Sequence, residues 1–573
     1  MNEDLAARVR GWIADDPDQG DRAELEALLA RAGGGDVDAG ADLDDRFAAE
    51  LTFGTAGLRG AVGAGPNRIN RAVVRRASAA VGAYLLRQNG GNAARGVVIG
   101  CDARHRSSEL ADEAALVLTG AGLRVHLLPR PRPTPLTAFA VTHLHAAAAI
   151  MITASHNPRE DNGYKLYLGD GAQIIPPVDE EIEALMLEVG ALAEVPLGSL
   201  EDDELVVHHD EEVVDEYIAA IVAASPRRTG ADRELRVVYT PLHGVAGTTF
   251  LKTLAHAGHP APYVVPEQAE PDPEFPTAPY PNPEVPGALD LAIAAAHARN
   301  ADLVIANDPD GDRLAVAVPD PTAGTGWRRL SGDQLGWILG EYLLAQSDSS
   351  PEADRRVVAT TIVSSRLLTS LAATHAVRYI ETLTGFKWIA RSVDGLPGMW
   401  LLFGYEEALG YAVGGVVRDK DGIGAALAFL NLAAETVSRG ASLLEFLDEI
   451  ETPHGVHLTH QTTVPTHDAG AVMTHLRAAP PKDFAGIAVT ESQDLSDAVV
   501  ASGRGLPTSD VLVYFLEEQS RIVVRPSGTE PKVKAYIEVI EPVQVVENDL
   551  ASARAAAAER MEHLLGTVNV LLG

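Results

Sequence analysis

The sequence predicts an α/β protein with three related βαβ-type domains, whose sheets are parallel or mixed, and a smaller C-terminal α+β domain, all placed around one central cleft. Three segments share one pattern: a β-branched strand, a loop with Ser, Thr or Gly, an apolar-periodic helix and a second strand. They begin at Val97, Val237 and Val357, and this order of elements is typical of βαβ units. From about residue 456 short strands follow one another instead, which favours a meander.

Length and composition agree with several folded domains. At about 100–200 residues per domain, 573 residues predict three to five domains. Hydrophobic residues make up 46% and charged residues 22%, which excludes wholesale disorder. A net charge of −34 argues against nucleic-acid and anionic-membrane partners. Cys101 is the single cysteine, so internal disulfides and Cys-based metal sites are excluded. No secretory h-region and no run of 18 apolar residues occurs, which predicts a cytoplasmic protein.

The domain boundaries follow from the order of the elements. Residues 1–45 contain two candidate amphipathic helices, DLAARVRGWI and DRAELEALLARAG, which we interpret as an N-terminal extension. The predicted domains are 46–206, 207–327, 328–455 and 456–573. In the last domain HLTHQTTVPT, VLVYFL, RIVVR and VKAYIEVI are candidate strands, and residues 545–566 form a closing Ala-rich helix.

Each repeat continues into a further apolar strand and then a polar loop. These loops are TASHNP at 153–158, DPDGDR at 308–313 and GYEEALGY at 404–411. Open α/β sheets usually bind ligands at the carboxyl ends of their strands. The repeated placement therefore predicts one composite site.

The DPDGDR loop is a candidate metal site. Asp308, Asp310 and Asp312 can converge on one hard cation if Pro309 and Gly311 let the loop curl. An EF-hand is excluded, because it needs Gly where Arg313 stands and its flanks are helices. Three carboxylates beside an arginine suit Mg²⁺ with a phosphate oxygen. A plain hairpin turn is the alternative.

The TASHNP loop places Ser155 directly after a buried strand. We expect the side chains of Ser155 and His156 to diverge, because they are neighbours, and so to form no hydrolase-type pair. The serine can still carry a phosphoryl group, since that transfer needs alignment and charge neutralisation more than a strong base. Lys165 follows as a candidate proton donor or phosphate partner. The alternatives are an ordinary turn and a solvated strand lysine.

Other loops add candidate ligands. RPSGTEPK at 525–532 can cradle an anion with an arginine, hydroxyls and backbone N–H groups, unless it is an ordinary hairpin. Glu406 and Glu407 can accept hydrogen bonds from sugar hydroxyls. The remaining candidates are Arg59, Lys387, Asp102, Arg104 and Ser107; Glu407, Asp102 and Arg104 are alternatively structural ion-pair members. The His208–Asp210 stretch is interpreted as a solvated helix start, and His243 as a turn residue.

Together TASHNP, DPDGDR, GYEEALG and RPSGTEPK, in this order, resemble the α-D-phosphohexomutases, the phosphoglucomutase/phosphomannomutase superfamily. The resemblance covers roughly residues 46–573. The TFGTAGLRG opening and the GYEEALGY…DKDG stretch look like the phosphoglucomutase branch that includes phosphopentomutases and sugar-bisphosphate synthases.

The resemblance implies a role for each matching residue. Ser155 would be the phosphorylated serine, and it would bind Mg²⁺ together with Asp308, Asp310 and Asp312. Substrate would be bound by Arg313 and Lys387, its hydroxyls by Glu406. The residues that match the non-transferring-phosphate loop are Arg525, Ser527, Gly528 and Thr529. Those that match the acid/base region are Arg59 and Lys165, with His156 beside the serine.

The expected activity is interconversion of hexose 1-phosphate and hexose 6-phosphate, with glucose preferred, through phospho-Ser155 and a bisphosphorylated sugar. A sugar bisphosphate such as glucose 1,6-bisphosphate would prime it, and the protein would be a monomer or homodimer. Many relatives have serine where this chain has Ala408, and some have histidine near Phe386 and Lys387. Phosphomannomutase, phosphopentomutase and glucose 1,6-bisphosphate synthase therefore remain alternatives, as does a non-catalytic binding protein. The anionic substrates predict a basic cleft inside an acidic shell.

Overall fold

The computed structural model describes residues 3–53, 57–88, 91–202, 204–226, 235–348, 350, 352–466, 468–527, 532–544 and 549–572. The chain divides into two compact units. Unit 1 contains Met1–Ser225, Leu235–Ala317 and Val416–Leu427, and unit 2 contains Pro226–Glu234, Val318–Gly415 and Ala428–Gly573. Within the described part, no helix combines the length and apolar character needed to cross a bilayer.

The N-terminal segment forms three helices where the sequence predicted two. They are α1 (Glu3–Asp15), α2 (Gln19–Gly33) and α3 (Val37–Arg46). The Asp36 side chain accepts a hydrogen bond from the Ala39 amide and so caps α3. Helix α3 escaped prediction because its sequence is mostly polar and buries only Ala39 and Leu43.

The first sheet belongs to unit 1 and has the strand order β1-β5-β4-β2-β3-β6. Its elements are β1 (Leu58–Ala61), α4 (Arg71–Arg87), α5 (Asn92–Arg95), β2 (Val97–Cys101), α6 (Ser107–Gly120), β3 (Val125–Leu127), α7 (Thr134–His143), β4 (Ala148–Ile152), β5 (Asp161–Leu168), α8 (Val178–Glu188), β6 (Val206–His208) and α9 (Glu212–Ala224). The stretch interpreted as a solvated helix start begins inside β6, but its last residue, the exposed Asp210, accepts a hydrogen bond at 2.9 Å from the amide of Glu212, where α9 begins. His208 ends β6, and the half-buried His209 lies with Nε2 3.0 Å from Nδ1 of His126.

The second and third sheets have the strand orders β11-β10-β9-β7-β8 and β13-β12-β14-β15. The elements of the second are β7 (Val237–Thr240), α10 (Ala246–Ala257), β8 (Tyr263–Val264), α11 (Asp290–Arg299), β9 (Leu303–Ala306), β10 (Ala315–Pro319) and β11 (Trp327–Arg329). Those of the third are α12 (Gly332–Ser347), β12 (Arg356–Thr361), α13 (Leu367–Thr374), β13 (Arg378–Thr382), α14 (Phe386–Ile389), β14 (Trp400–Glu406), β15 (Gly410–Val413), α15 (Gly422–Ser438) and α16 (Leu443–His454).

The three sheets repeat one connection, which confirms the predicted repeat. In each, the first strand of the repeat pairs in parallel with the strand that precedes the polar loop: β2 with β4, β7 with β9, and β12 with β14. The chain then turns and returns antiparallel, as β5, β10 and β15. Each polar loop is therefore the turn at the carboxyl end of an internal strand.

The fourth sheet is antiparallel with the order β16-β21-β20-β19-β18-β17. Its elements are β16 (Val456–Pro465), α17 (Ala469–Ala478), β17 (Asp483–Phe484), β18 (Ile487–Asp494), α18 (Ala498–Gly503), β19 (Leu512–Leu516), β20 (Arg521–Pro526), β21 (Lys532–Glu541) and α19 (Leu550–Leu572). The four predicted strands are present. The sequence missed β17 and β18, whose residues are mostly exposed or half-buried and so lack an apolar pattern.

Candidate active site

Ser155 lies in the turn between β4 and β5 and is 3% exposed. Its hydroxyl donates a hydrogen bond to Oδ2 of Asp308 at 2.8 Å. The same oxygen lies 3.1 Å from Nδ1 of His156, so the expected divergence of these two neighbours is wrong. Ser155 has φ +53°, and this left-handed backbone brings adjacent side chains together, whereas an extended strand would send them to opposite faces.

The DPDGDR loop curls as the sequence predicted. The Gly311 amide donates to the Asp308 carbonyl at 2.9 Å, closing a tight turn after β9. Gly311 has φ +74°, and a Cβ there would lie 3.0 Å from the Cβ atoms of Ala246 and Pro133. Glycine therefore satisfies both the backbone and the packing at this position.

The loop brings Asp308, Asp310 and Asp312 together. One carboxylate oxygen from each lies within 4.8 Å of the others, and each residue is at most 1% exposed. Oδ1 of Asp310 and Oδ1 of Asp312 are buried with no hydrogen-bond partner among the described residues. Buried carboxylate oxygens without partners are costly, and hard oxygen donors are the ligands that Mg²⁺ prefers. The donor set fits a magnesium ion.

Two lysines neutralise part of this charge. Lys165, on β5, donates to Oδ2 of Asp310 at 2.8 Å and to Oδ2 of Asp312 at 2.9 Å. Nζ of Lys420 lies 3.4 Å from Oδ2 of Asp312. Lys165 was a sequence candidate, whereas Lys420 was missed. The DKDG stretch could have indicated it, because that stretch places a lysine between two acidic residues. In the sequence analysis the stretch was used only to support the family resemblance.

The pKa values follow this balance of charges. Burial, followed by the charges of Asp310 and Asp312, raises the pKa of Asp308 well above its usual value. Burial acts in the same direction on Asp312, but Lys165, Lys420 and Arg313 outweigh it and lower its pKa. The neighbouring cations therefore favour the ionised forms of Asp310 and Asp312, whereas burial and the other two carboxylates disfavour the ionised form of Asp308.

Further candidates surround the serine and the aspartates. Arg59 donates to Oδ1 of Asn157 at 3.0 Å, and Arg313 lies 4.0 Å from carboxylate oxygens of Asp308 and Asp312. Burial, then the charges of Arg313 and Arg59, holds the pKa of His156 well below its usual value. His156 is accordingly a neutral imidazole. Unit 1 thus gathers all the candidates predicted from the first two motif loops and Arg59.

Unit 2 holds the second group of candidates. Glu406 ends β14 and is 8% exposed. Glu407 accepts a hydrogen bond from the Ser364 hydroxyl at 3.0 Å; burial and then the charge of Glu406 raise its pKa to about 7. Burial, followed by the charge of Glu407, raises the pKa of Tyr536, and the charge of Arg525 acts in the opposite direction. Arg525 on β20 and the glutamate turn after β14 therefore lie close to the same tyrosine.

Asp102, Arg104 and Ser107 are buried in unit 1, where the Ser107 hydroxyl donates to Oδ1 of Asp102 at 2.6 Å. Lys387 lies in the short helix α14 and is 7% exposed. The Ser527 amide donates to the Lys532 carbonyl at 2.9 Å. Gly528 and Thr529 lie outside the described residues. His243 lies in a turn with φ +59°, as expected.

Family models match most of the chain. They are described as phosphoglucomutase/phosphomannomutase alpha/beta/alpha domain I at residues 50–193, domain II at 215–324, domain III at 331–452 and C-terminal domain at 478–549.

Individual proteins agree with these models. The chain is 42% identical to a probable phosphomannomutase of Haemophilus influenzae, over 82% of this chain and 93% of that protein. It is 34% identical to a phosphopentomutase of Mus musculus, over 95% and 91%. The crystal structure of a putative phosphomannomutase from Thermus thermophilus matches with a TM-score of 0.66 at 25% identity, covering 90% of this chain and 99% of that one. The chain therefore belongs to the phosphoglucomutase/phosphomannomutase family of the α-D-phosphohexomutase superfamily and is a phosphomutase, an enzyme of the isomerase class.

Proposed function

We propose that this enzyme interconverts hexose 1-phosphate and hexose 6-phosphate, with glucose as the main sugar, through a phosphorylated Ser155 and a bisphosphorylated intermediate. One observation carries the proposal: the buried Ser155 hydroxyl donates to Asp308 at 2.8 Å, inside the cluster of three aspartates. A serine in that setting is aligned with a site for a phosphoryl group and its counter-charge.

The proposed reaction has two transfers. Phospho-Ser155 donates its phosphoryl group to the free hydroxyl of the sugar monophosphate: the Ser Oγ–P bond breaks, a sugar O–P bond forms, and the hydroxyl proton leaves to a base. The bisphosphate then reorients, and its other phosphoryl group returns to Ser155. Of the three acid/base candidates, the neutral His156 can accept this proton, whereas Lys165 can donate one and Arg59 can stabilise negative charge, because both are cations.

The other candidates bind the sugar and its second phosphate. Glu406 would accept hydrogen bonds from sugar hydroxyls, and Arg313 and Lys387 would contact substrate. The phosphate that is not transferred would be held by the loop residues Arg525, Ser527, Gly528 and Thr529. Each of the four predicted domains, 46–206, 207–327, 328–455 and 456–573, would thus contribute one loop to the cleft.

Magnesium and a primer complete the proposal. Asp308, Asp310 and Asp312 would hold Mg²⁺ with Ser155, and the ion would neutralise charge on the transferring phosphoryl group. Glucose 1,6-bisphosphate, or a related sugar bisphosphate, would phosphorylate Ser155 initially. We place the enzyme in the cytoplasm, acting on small phosphosugars as a monomer or homodimer.

Replacing the serine tests the proposal. Ser155→Ala should lower conversion of glucose 1-phosphate to glucose 6-phosphate by at least about 1000-fold, because the phosphoryl carrier is gone. Mass spectrometry of the wild-type protein treated with glucose 1,6-bisphosphate should find phosphate on Ser155. Ser520→Ala is the control, since that serine is also buried and its hydroxyl has no hydrogen-bond partner among the described residues. Near-normal turnover by Ser155→Ala would refute the assignment.

Pentose 1-phosphate is the second candidate substrate. It is favoured by the relative named phosphopentomutase, which aligns with 95% of this chain. Ala408, where many relatives have serine, leaves one sugar hydroxyl without a partner and so leaves the choice among glucose, mannose and pentose open. Initial rates with glucose, mannose, glucosamine and ribose 1-phosphates, with Mg²⁺ and the matching bisphosphate, rank the sugars. Net bisphosphate synthesis from 1,3-bisphosphoglycerate with little mutase turnover would instead indicate a glucose 1,6-bisphosphate synthase.

A further inference from the structure

Arg104 lies beneath the Ser155 loop with a side chain that is 1% exposed. Its guanidinium donates to four main-chain carbonyls of that loop and its exit. One terminal nitrogen reaches Ser155 at 2.7 Å and Asn157 at 2.5 Å, and the other reaches Pro158 at 2.7 Å and Asp161 at 3.1 Å. A planar group with fixed donors that meets four carbonyls at once fixes their relative positions.

Asp102 holds the same loop from its other end. Its Oδ2 accepts a hydrogen bond from the Thr153 hydroxyl at 2.6 Å, and Oγ1 of Thr153 accepts one from the Ser155 amide at 2.9 Å. Because the hydroxyl of Thr153 donates its single proton to Asp102, the lone pairs of that hydroxyl oxygen remain to accept the hydrogen bond from the Ser155 amide. Asp102 also lies 3.5 Å from Nε of Arg104, which pairs the two buried charges.

The backbone at Ser155 needs such a restraint. A non-glycine residue at φ +53° occupies a sparsely populated region, and such residues persist only when their surroundings over-determine them. That conformation is what places the hydroxyl 2.8 Å from Asp308 and 3.1 Å from His156. Relaxation to an extended backbone would move the hydroxyl away from both.

A second contact fixes the guanidinium itself. Phe275 lies against it, with the ring centroid 5.0 Å from Cζ of Arg104. Arg104 therefore connects the Ser155 loop to the segment between β8 and α11, which contains Phe275 and belongs to unit 1.

We propose that Asp102 and Arg104 are positioning residues that hold Ser155 in its left-handed conformation and so set the rate of phosphoryl transfer. Neither residue needs to touch the sugar. The inference rests on the proposed function, because it assumes that Ser155 is the phosphoryl carrier.

Arg104→Lys is the central test, because an ammonium group keeps the charge but cannot span four carbonyls. We expect kcat to fall about 100-fold, as for a misplaced reacting group. The KM for glucose 1-phosphate should stay within about 3-fold, since no group proposed to contact the sugar is changed. Phosphorylation of Ser155 by glucose 1,6-bisphosphate, followed by intact-protein mass spectrometry, should slow by the same factor as kcat. Thr153→Val, which removes only the hydroxyl relay, should give a smaller loss of kcat with the same unchanged KM.

Arg356→Lys is the matched control. Arg356 is 3% exposed and donates to the carbonyls of Ala353 and Leu344 at 2.6 and 3.2 Å, remote in sequence from every motif loop. The positioning role is supported if the two variants lose the same thermal stability while Arg104→Lys loses a much larger share of kcat than Arg356→Lys does. If Arg104→Lys and Thr153→Val phosphorylate Ser155 as fast as wild type, the inference is wrong and the proposed function survives. If wild-type Ser155 takes up no phosphate, both are wrong.

Discussion

At the scale of single residues, Lys165 is a buried cation that pairs with two carboxylates. Its ammonium group is buried and compensates two buried carboxylates, Asp310 and Asp312, at 2.8 and 2.9 Å. Removing one partner of a buried ion pair leaves an uncompensated charge, which costs about 3–5 kcal/mol. Lys165→Met should therefore unfold at a lower temperature than wild type in EDTA. Added Mg²⁺ should recover more stability in the variant than in wild type, because the ion supplies the missing positive charge.

Thermal unfolding with EDTA and with Mg²⁺ measures both effects. The control is Lys252→Met, whose partner Glu211 has a side chain that is 46% exposed, so that less than about 1 kcal/mol should be lost and Mg²⁺ should make no difference. Equal stabilisation of wild type and Lys165→Met by Mg²⁺ would contradict the account.

The sequence predicted most of the residues in this site but not how they are arranged. The spacing of the three aspartates predicted a metal site, whereas Ser155 by itself was also compatible with an ordinary turn, and its role as phosphoryl carrier came from the resemblance to a known family. The contact between Ser155 and His156 depends on one positive φ angle, which no local pattern signals in a serine. Lys420 approaches Asp312 from more than 100 positions along the chain, and only the tertiary fold brings them together.

At the scale of elements, helix α15 begins directly after a buried acid. Asp421 accepts hydrogen bonds from the Ile423 and Gly424 amides at 3.1 and 2.9 Å and from the Tyr217 hydroxyl at 2.7 Å. Burial nevertheless dominates and raises its pKa from 3.8 to about 6. Between those values the folded protein keeps a proton that the unfolded chain releases. The stabilisation of the fold by protonated Asp421 is complete below pH 3.8 and is lost as the pH rises through about 6.

Asp421→Asn removes this titration and keeps an oxygen that accepts the same hydrogen bonds. Relative to wild type, the variant should gain stability between about pH 4 and pH 7, by at most about 3 kcal/mol. Melting temperatures of both proteins across that range give the difference directly, and other titrating groups cancel. A difference that stays constant with pH would show that Asp421 is ionised throughout.

Elements with a strong apolar pattern were predictable from sequence, and those without one were not. The three repeats were recognised because their strands are apolar; β2, β4 and β9, for example, are buried throughout. Helix α3 and the hairpin β17–β18 were missed because most of their side chains are exposed or half-buried. A helix cap and backbone pairing between strands determine where these elements lie, and neither produces a hydrophobic pattern that can be recognised in the sequence.

At the scale of the whole molecule, a net charge of −34 opposes an anionic substrate. None of the five candidate cations is fully exposed. Lys165 and Lys387 are buried, and Arg59, Arg313 and Arg525 are half-buried. Attraction by these groups acts at short range, within surroundings that salt screens little, whereas the repulsion comes from exposed carboxylates.

Raising the ionic strength should therefore raise the catalytic efficiency, kcat/KM, of the enzyme. Between about 0.01 M and 0.15 M salt the Debye length falls from about 30 Å to about 8 Å, which removes most of the long-range repulsion. We expect kcat/KM for glucose 1-phosphate to rise about 2-fold over this range at constant free Mg²⁺, through a lower KM. Potassium acetate should give the same curve as sodium chloride at equal ionic strength, which separates screening from specific ion binding. A steep fall in kcat/KM would mean instead that long-range attraction by cations dominates the encounter, and the acidic surface would then have no bearing on substrate capture.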